Sequence, residues 1–335
     1  MADHVNQDRV REASRLASEA WALNESDGDA TLTVGLSVPL VYAKLECAEL
    51  SDVLRWSQRV IDLADGDPSK GNFIFGSPLA LALTSRAMAR YCLGRSGWRD
   101  DLRQGLAMAR SADPMSYAAV VAYVYLVAIL MSVLAADDRA VREIEDALRI
   151  AERSGDDLAL ALAEMTLGVA LVHRQTAAEC DRGQQLLADV GEVFVRRGHN
   201  LCDLPMVDVY LAHEKARRRD RDEAIPLMRS AIDHLFREGQ LLAWGIPATG
   251  VLVETLLDRG ADAEVAEAEA AVERLAAATT DEGLVLRNIW LLRLRALLAR
   301  AHGDEAAYRD FRDRYRAMAT SLGFEGHIAW AEAMP

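Results

Sequence analysis

The sequence predicts an all-α protein, a right-handed solenoid of helix hairpins, and three observations carry that expectation. Alanine supplies 57 of the 335 residues while aromatics make up only 6%, and alanine is the best helix former and a poor filler of sheet faces. Glycine-centred stops recur at Gly155, Gly198, Gly239, Gly283 and Gly323, a period of about 42 residues. Glycine just past a helix enters the left-handed region cheaply, so these positions are expected to be C-caps. Between the stops, one-sided amphipathic helices alternate with helices that are apolar over most of their circumference. No single hairpin can bury the second kind, but stacked neighbours can. About seven repeats then form a single array, with hairpins over 1–64, regular repeats over 77–321 and a capping segment over 322–335.

Helices are expected over 4–24, 30–48, 51–64, 77–94, 98–111, 114–136, 137–154, 156–174, 177–197, 204–218, 220–238, 241–258, 262–278, 283–302 and 304–321. The stops Ala64-Asp65-Gly66 and Ser111-Ala112-Asp113 close the third and fifth of these. In 137–154, Val141, Ile144, Leu148 and Ala151 form one apolar stripe, as do Val265, Ala268, Val272 and Leu275 in 262–278. Tyr308, Phe311, Tyr315, Met318 and Leu322 repeat the spacing near the end of the chain. By contrast, 158–171 carries a single charge, Glu164, and 248–257 only Glu254. Pro39, Pro226 and Pro247 are expected to kink or shorten their helices. The stretch 65–76 is the longest irregular one and the best placed for a functional or flexing loop. Phe324, Ile328 and Trp330 predict that 324–334 folds back as a short helix over 304–321.

The run 118–136 is uncharged and long enough to be weighed as a membrane span. Its flanks, Asp113 and Asp137-Asp138-Arg139, offer no Lys/Arg asymmetry, and the repeat places a buried helix there. Hydrophobic residues at 51% exclude disorder as the main state. A net charge of −14 argues against nucleic acid as the ligand. Of 38 basic residues only Lys44, Lys70 and Lys215 are lysine, an arginine excess read as genome composition. Cys47, Cys92, Cys180 and Cys202 form no CxxC pair and read as idle thiols of a reducing cytoplasm. The first dozen residues hold Asp3, Asp8, Arg9, Arg11 and Glu12, which does not resemble a signal peptide.

No phosphate loop, HExxH, GxSxG or GxGxxG phrase is present, so no catalytic residue, cofactor or metal is expected. His199, Cys202 and Asp203 are three possible metal ligands in one loop, but ordinary turn polarity is the commoner reading. Basic residues from Lys215 to Arg221 read as a dipole-complementing last turn or, less simply, a patch for an acidic partner. Glu164, Asp208 and Glu254, each inside a largely apolar helix, carry two readings. One is pairing with an arginine or backbone group of the next repeat; the other is a ligand contact on the concave face. Arg86 and Arg90, one turn apart, carry the same two. Tyr117 and Tyr123, with Tyr125, either line a groove or join the core. These residues are the candidate groove.

The phrases DRDEAIPLMRSAID (220–233), ATGVLVETLLDRGADAEVAEAEAAVERLAAA (248–278) and the whole of 289–335 resemble the C-terminal repeats of actinobacterial, especially mycobacterial, signalling proteins. In that group a cyclase domain and a STAND-type ATPase precede a tetratricopeptide-like region similar to the maltose-regulator type; LuxR-type regulators are wider relatives. The resemblance covers 200–335 most closely and the rest in repeat style. It implies a non-catalytic sensor end that binds a protein partner, an in-family cyclase or ATPase domain, or a small effector. The family's catalytic and Walker motifs have no counterpart here. Neither membrane nor direct nucleic-acid binding is implied.

Overall fold

The computed structural model describes residues 9–74, 76–198, 200–218, 220–279 and 283–335, with Ala243 by its backbone alone. Among them the secondary structure is helical, without a strand. In chain order the helices are α1 Val10–Asp27, α2 Ala30–Glu46, α3 Leu50–Ala64, α4 Pro78–Cys92 and α5 Trp98–Arg110. Next, α6 runs from Pro114–Val121 through a π-helical turn, Ala122–Leu126, into Val127–Leu130. Then come α7 Asp138–Ser154, α8 Asp157–Val172, α9 Ala177–Arg197, α10 Leu204–Arg217 and α11 Arg221–Glu238. The chain closes with α12 Ile246–Arg259, α13 Asp262–Ala277, α14 Val285–Ala301, α15 Glu305–Leu322 and α16 Glu325–Ala333. A 3₁₀ turn, Leu201–Asp203, precedes α10, and a second π-helical turn, Leu241–Gly245, precedes α12.

The ends of these helices are chemically marked. Asp29, Asp113, Asp137, Asp156 and Asp304 accept from amides of the first turn, which satisfies donors the helix cannot. Gly155, Gly198, Gly239 and Gly323 are left-handed C-caps as the period predicts. Gly283 is not: α13 ends at Ala277 on an extended Ala278. Pro39 and Pro226 lie inside α2 and α11, which continue through them, while Pro247 starts α12.

Successive helices pack antiparallel-hairpin fashion, and the apolar ones (α2, α4, α6, α8, α10, α12, α14) are buried on most sides. Small residues set the spacing: the Trp290 ring lies where a Cβ on Gly250 would be, 2.2 Å from its nearest atom. Arginine ties one repeat to the next. Arg174–Asp138, Arg182–Glu145, Arg218–Asp181, Arg229–Glu267, Arg274–Asp233 and Arg293–Glu254 are pairs separated by 36 to 41 residues. Most are exposed and individually weak, yet they record the repeat in side-chain geometry.

The array also closes on itself. Gln240 and Trp244 reach Glu46 of α2 across 194 and 198 residues. Arg99 at the start of α5 donates to the Gly323 carbonyl, 2.6 Å away and 224 residues on. The amides of Glu325 and His327 donate to the carbonyls of Val133 and Ser132, at 2.9 and 3.0 Å. Stretches roughly five repeat lengths apart in the sequence therefore touch. The closure explains one correction. The expected helix 114–136 stops at Leu130, and Ser132 takes a left-handed φ of 55°. The rest of the apolar run leaves the helix, and its carbonyls anchor α16. Among the described residues no helix is long and apolar enough to cross a membrane.

At this seam His327 is fully buried, its Nδ1 2.9 Å from the Tyr315 hydroxyl. Burial first, and the Arg293 guanidinium second, push its pKa from 6.5 down to about 3. The unfolded chain therefore holds one more proton between those values. Stability is complete above pH 6.5 and falls as pH drops towards 3, by up to roughly 1.4 kcal/mol per unit. Urea midpoints measured at falling pH should drop more steeply for the native chain than for His327→Gln; equal slopes would contradict this assignment.

Candidate functional site

The inner helices converge on one pocket. Its walls come from α2 (Val38, Pro39, Tyr42, Leu45, Glu46), α4 (Met88), α6 (Ala119, Ala122, Tyr123, Leu126, Val127) and α8 (Leu158, Leu162, Met165). Asn200 and Asp203 at the start of α10, Leu242 and Trp244 in the turn before α12, and Ile74 complete it. Its volume is about 240 Å³. Such a cavity exceeds the ~150 Å³ that admits benzene and lies just below the usual range of ligand sites. The α6 part of the wall includes the π-helical turn, which places Ala122, Tyr123 and Leu126 on the cavity.

The polar groups cluster at one end. Glu46 and Asp203 are 3% and 4% exposed. Trp244 Nε1 donates to Glu46 Oε2 at 2.7 Å, and Gln240 Nε2 donates to the same oxygen at 3.2 Å and to the Cys202 carbonyl at 3.1 Å. The Tyr42 hydroxyl lies 3.9 Å from Cys202 Sγ, and the Tyr42 and Tyr123 rings lean together with centroids 6.2 Å apart. Burial, reinforced by Cys202, Glu46 and Asp203, raises the Tyr42 hydroxyl well above its ordinary pKa. Burial and then Glu46 and Asp203 do the same to Tyr123. Both phenols stay protonated and can donate. Among the described residues no three His, Cys, Asp or Glu side chains gather to hold a metal; His199 lies outside the described residues.

The 65–76 loop borders the pocket. Gly71 lies against Gly35 so closely that a Cβ on it would sit 2.5 Å from the Gly35 nitrogen, and the Phe73 ring covers Gly35. Phe73 and Ile74 are 56% and 53% exposed, with Ile74 on the pocket. Asn72 bonds Asp113 at 3.1 Å, and Lys70 the Leu63 carbonyl at 2.7 Å. Both tethers lie just before the apolar tip of Phe73 and Ile74.

Of the groove candidates Tyr123 lines this pocket, and so does Asp203, which the sequence offered as a metal ligand or turn polarity. Arg86 and Arg90 instead clamp the buried carboxylate of Asp101, at 2.6 Å each. Tyr117 bonds Arg110 and Glu143 on the other side of α6. Glu254 takes Arg293 of the next repeat at 2.5 Å, the pairing reading. Glu164 is half-buried, its pKa raised by burial and then by Asp189 and Glu152; Asp208 is exposed. Neither lines the pocket. Glu46 carries no comparable signal in the sequence: with Lys44 two residues before it, it resembles a polar helix end rather than a lone charge in an apolar helix. No model of a known protein family and no curated protein matches the chain.

Proposed function

We propose that this chain is a non-catalytic sensor module whose small-molecule effector occupies the central pocket. The observation that carries the reading is the pocket itself: an apolar cavity with buried polar groups converging at one end, where helices from distant repeats meet. A ligand there touches α2, α6, α8 and the turn before α12 together, so occupancy would stabilise the closed superhelix over looser forms. In the resembling signalling proteins such a change would be passed to a cyclase or ATPase domain, which makes that class of domain the natural partner. The reading takes the superhelix as right-handed, with about seven repeats, working in the cytoplasm. A partner lying along an open concave groove is less well supported, because contacts such as Trp244–Glu46 and Glu325–Val133 join distant repeats across the inner side of the array.

A thermal-shift screen of small apolar molecules tests it, run in parallel on the native chain and on the cavity-filling variant Leu162→Trp. Overpacking will cost that variant roughly 1–3 kcal/mol, so each hit is scored as a change from the variant's own midpoint. Hits are expected to raise the native midpoint and leave that of the variant unmoved. Equal shifts in both chains, or no hit at all, would contradict the reading.

A further inference from the structure

Both π-helical turns among the described residues supply the wall of the pocket. Ala122–Leu126 brings Ala122, Tyr123 and Leu126 to it, and Leu241–Gly245 brings Leu242 and Trp244. Such turns are rare and occur mostly at functional sites. Two tyrosines stand in the first of them. Tyr125 donates to Glu143 at 3.3 Å. Tyr123 has its ring against Tyr42, and among the described residues its hydroxyl has no hydrogen-bond partner. Burial raises its pKa, and Glu46, Asp203 and Cys202 raise it further, so the phenol is a protonated donor at the polar end of the cavity.

The other polar groups at that end are taken up by the fold. Glu46 accepts from Trp244 and Gln240, Cys202 Sγ lies 3.7 Å from Asp203 Oδ1, and the Tyr42 hydroxyl turns to Cys202. What is left for a ligand is an apolar wall and one phenol donor. A donor inside a cavity with no acceptor is costly, and an acceptor on the ligand removes that cost. A negatively charged acceptor is disfavoured by the carboxylates that act on Tyr123. An ion of either sign would also give up its water to walls that are mostly aliphatic.

We propose that the effector is an uncharged amphiphile: an apolar body lying along Leu126, Val127, Leu162 and Met165, with one neutral oxygen that accepts a hydrogen bond from Tyr123. This inference rests on the effector reading and names its ligand class, with Tyr123 as the residue that sets specificity. The cavity has ~1.6 times the space that benzene needs, room for a phenyl ring with a short chain.

Isothermal titration of the native chain, Tyr123→Phe and Leu162→Trp with phenylbutanol, butylbenzene, phenylbutyrate and phenylbutylamine tests it. On the native chain phenylbutanol is expected to bind at least about tenfold more tightly than either ion. Tyr123→Phe keeps the ring and removes only the hydroxyl. It should weaken phenylbutanol about three- to tenfold and change butylbenzene less than about twofold. The hydrocarbon is the control, because a merely structural effect of the substitution would weaken both alike. Leu162→Trp should abolish binding of both. Suppose that Tyr123→Phe leaves phenylbutanol unchanged or weakens both compounds equally, or that either ion binds as tightly as the alcohol. If Leu162→Trp still abolishes binding, the neutral-oxygen assignment then fails while the pocket reading stands. If none of the four binds, or Leu162→Trp binds them all as the native chain does, both fail.

Discussion

Removing residues 323–335 is expected to cause a large loss of stability, because α16 is a structural part of the closure and not a trailing end. Phe324 is fully buried, in edge contact with Tyr91 and Trp98 at centroid distances of 6.5 and 6.3 Å. Trp330 stacks under the Arg293 guanidinium at 4.1 Å and meets Trp290 at 5.3 Å. The backbone bonds to the carbonyls of Ser132 and Val133 would go as well, cutting the tie between the turn after α6 and the end of the chain. Phe324→Ala isolates the packing component and should cost roughly 3–5 kcal/mol, read from urea denaturation with the slope checked for constancy. An unchanged midpoint in either the truncation or the point variant would mean that the seam between α5, α6 and α16 contributes nothing.

Trp244→Ala attacks the other seam. The indole is 3% exposed and joins the turn before α12 to α2 through Glu46. Its loss removes a cavity wall, a large apolar side chain and a donor to a buried carboxylate, and is expected to cost roughly 3–5 kcal/mol. Trp244→Phe keeps an aromatic ring in the wall but loses the donor with part of the indole, and should cost less, about 1–3 kcal/mol. Comparable denaturation midpoints for the two variants would show that the hydrogen bond, and not the packing, holds this seam. Neither seam needs to be complete for the hairpins to form, so far-ultraviolet circular dichroism should change little in folded samples of each.

Much of the fold is legible in the sequence because a repeat writes its information locally. The period is carried by glycines that cap helices, the caps by aspartates one residue before them, and the inner helices by apolar runs. Even the terminal segment could be placed, since Phe324, Ile328 and Trp330 have no use on a solvated end. The closure is a different kind of fact. Contacts such as Glu46–Trp244 join residues 198 apart, and nothing in either local pattern marks the other. For the same reason Asp203 and Cys202 read as turn polarity, and Trp244 as one apolar residue among several. The end of α6 misleads in the opposite way. The uncharged run from Ala118 to Ala136 contains no glycine or proline stop, yet the chain turns at Ser132, where two carbonyls accept from α16. Arginine carries a similar lesson: its excess looks like composition, yet many arginines bridge neighbouring repeats at the repeat spacing, where a planar multi-donor group suits a carboxylate.

The central claim is that the pocket at the axis is a ligand site coupled to closure. Hydrogen exchange followed by mass spectrometry, with and without a saturating hit of the thermal-shift screen, addresses it most directly. Slower exchange is predicted in α2, α6, the turn Leu201–Asp203 and the turn Leu241–Gly245, extending to α16 through the carbonyls of Ser132 and Val133, with the outer helices α7, α9 and α13 unchanged. Protection confined to those outer helices, or no protection in α2 and α6, would contradict it.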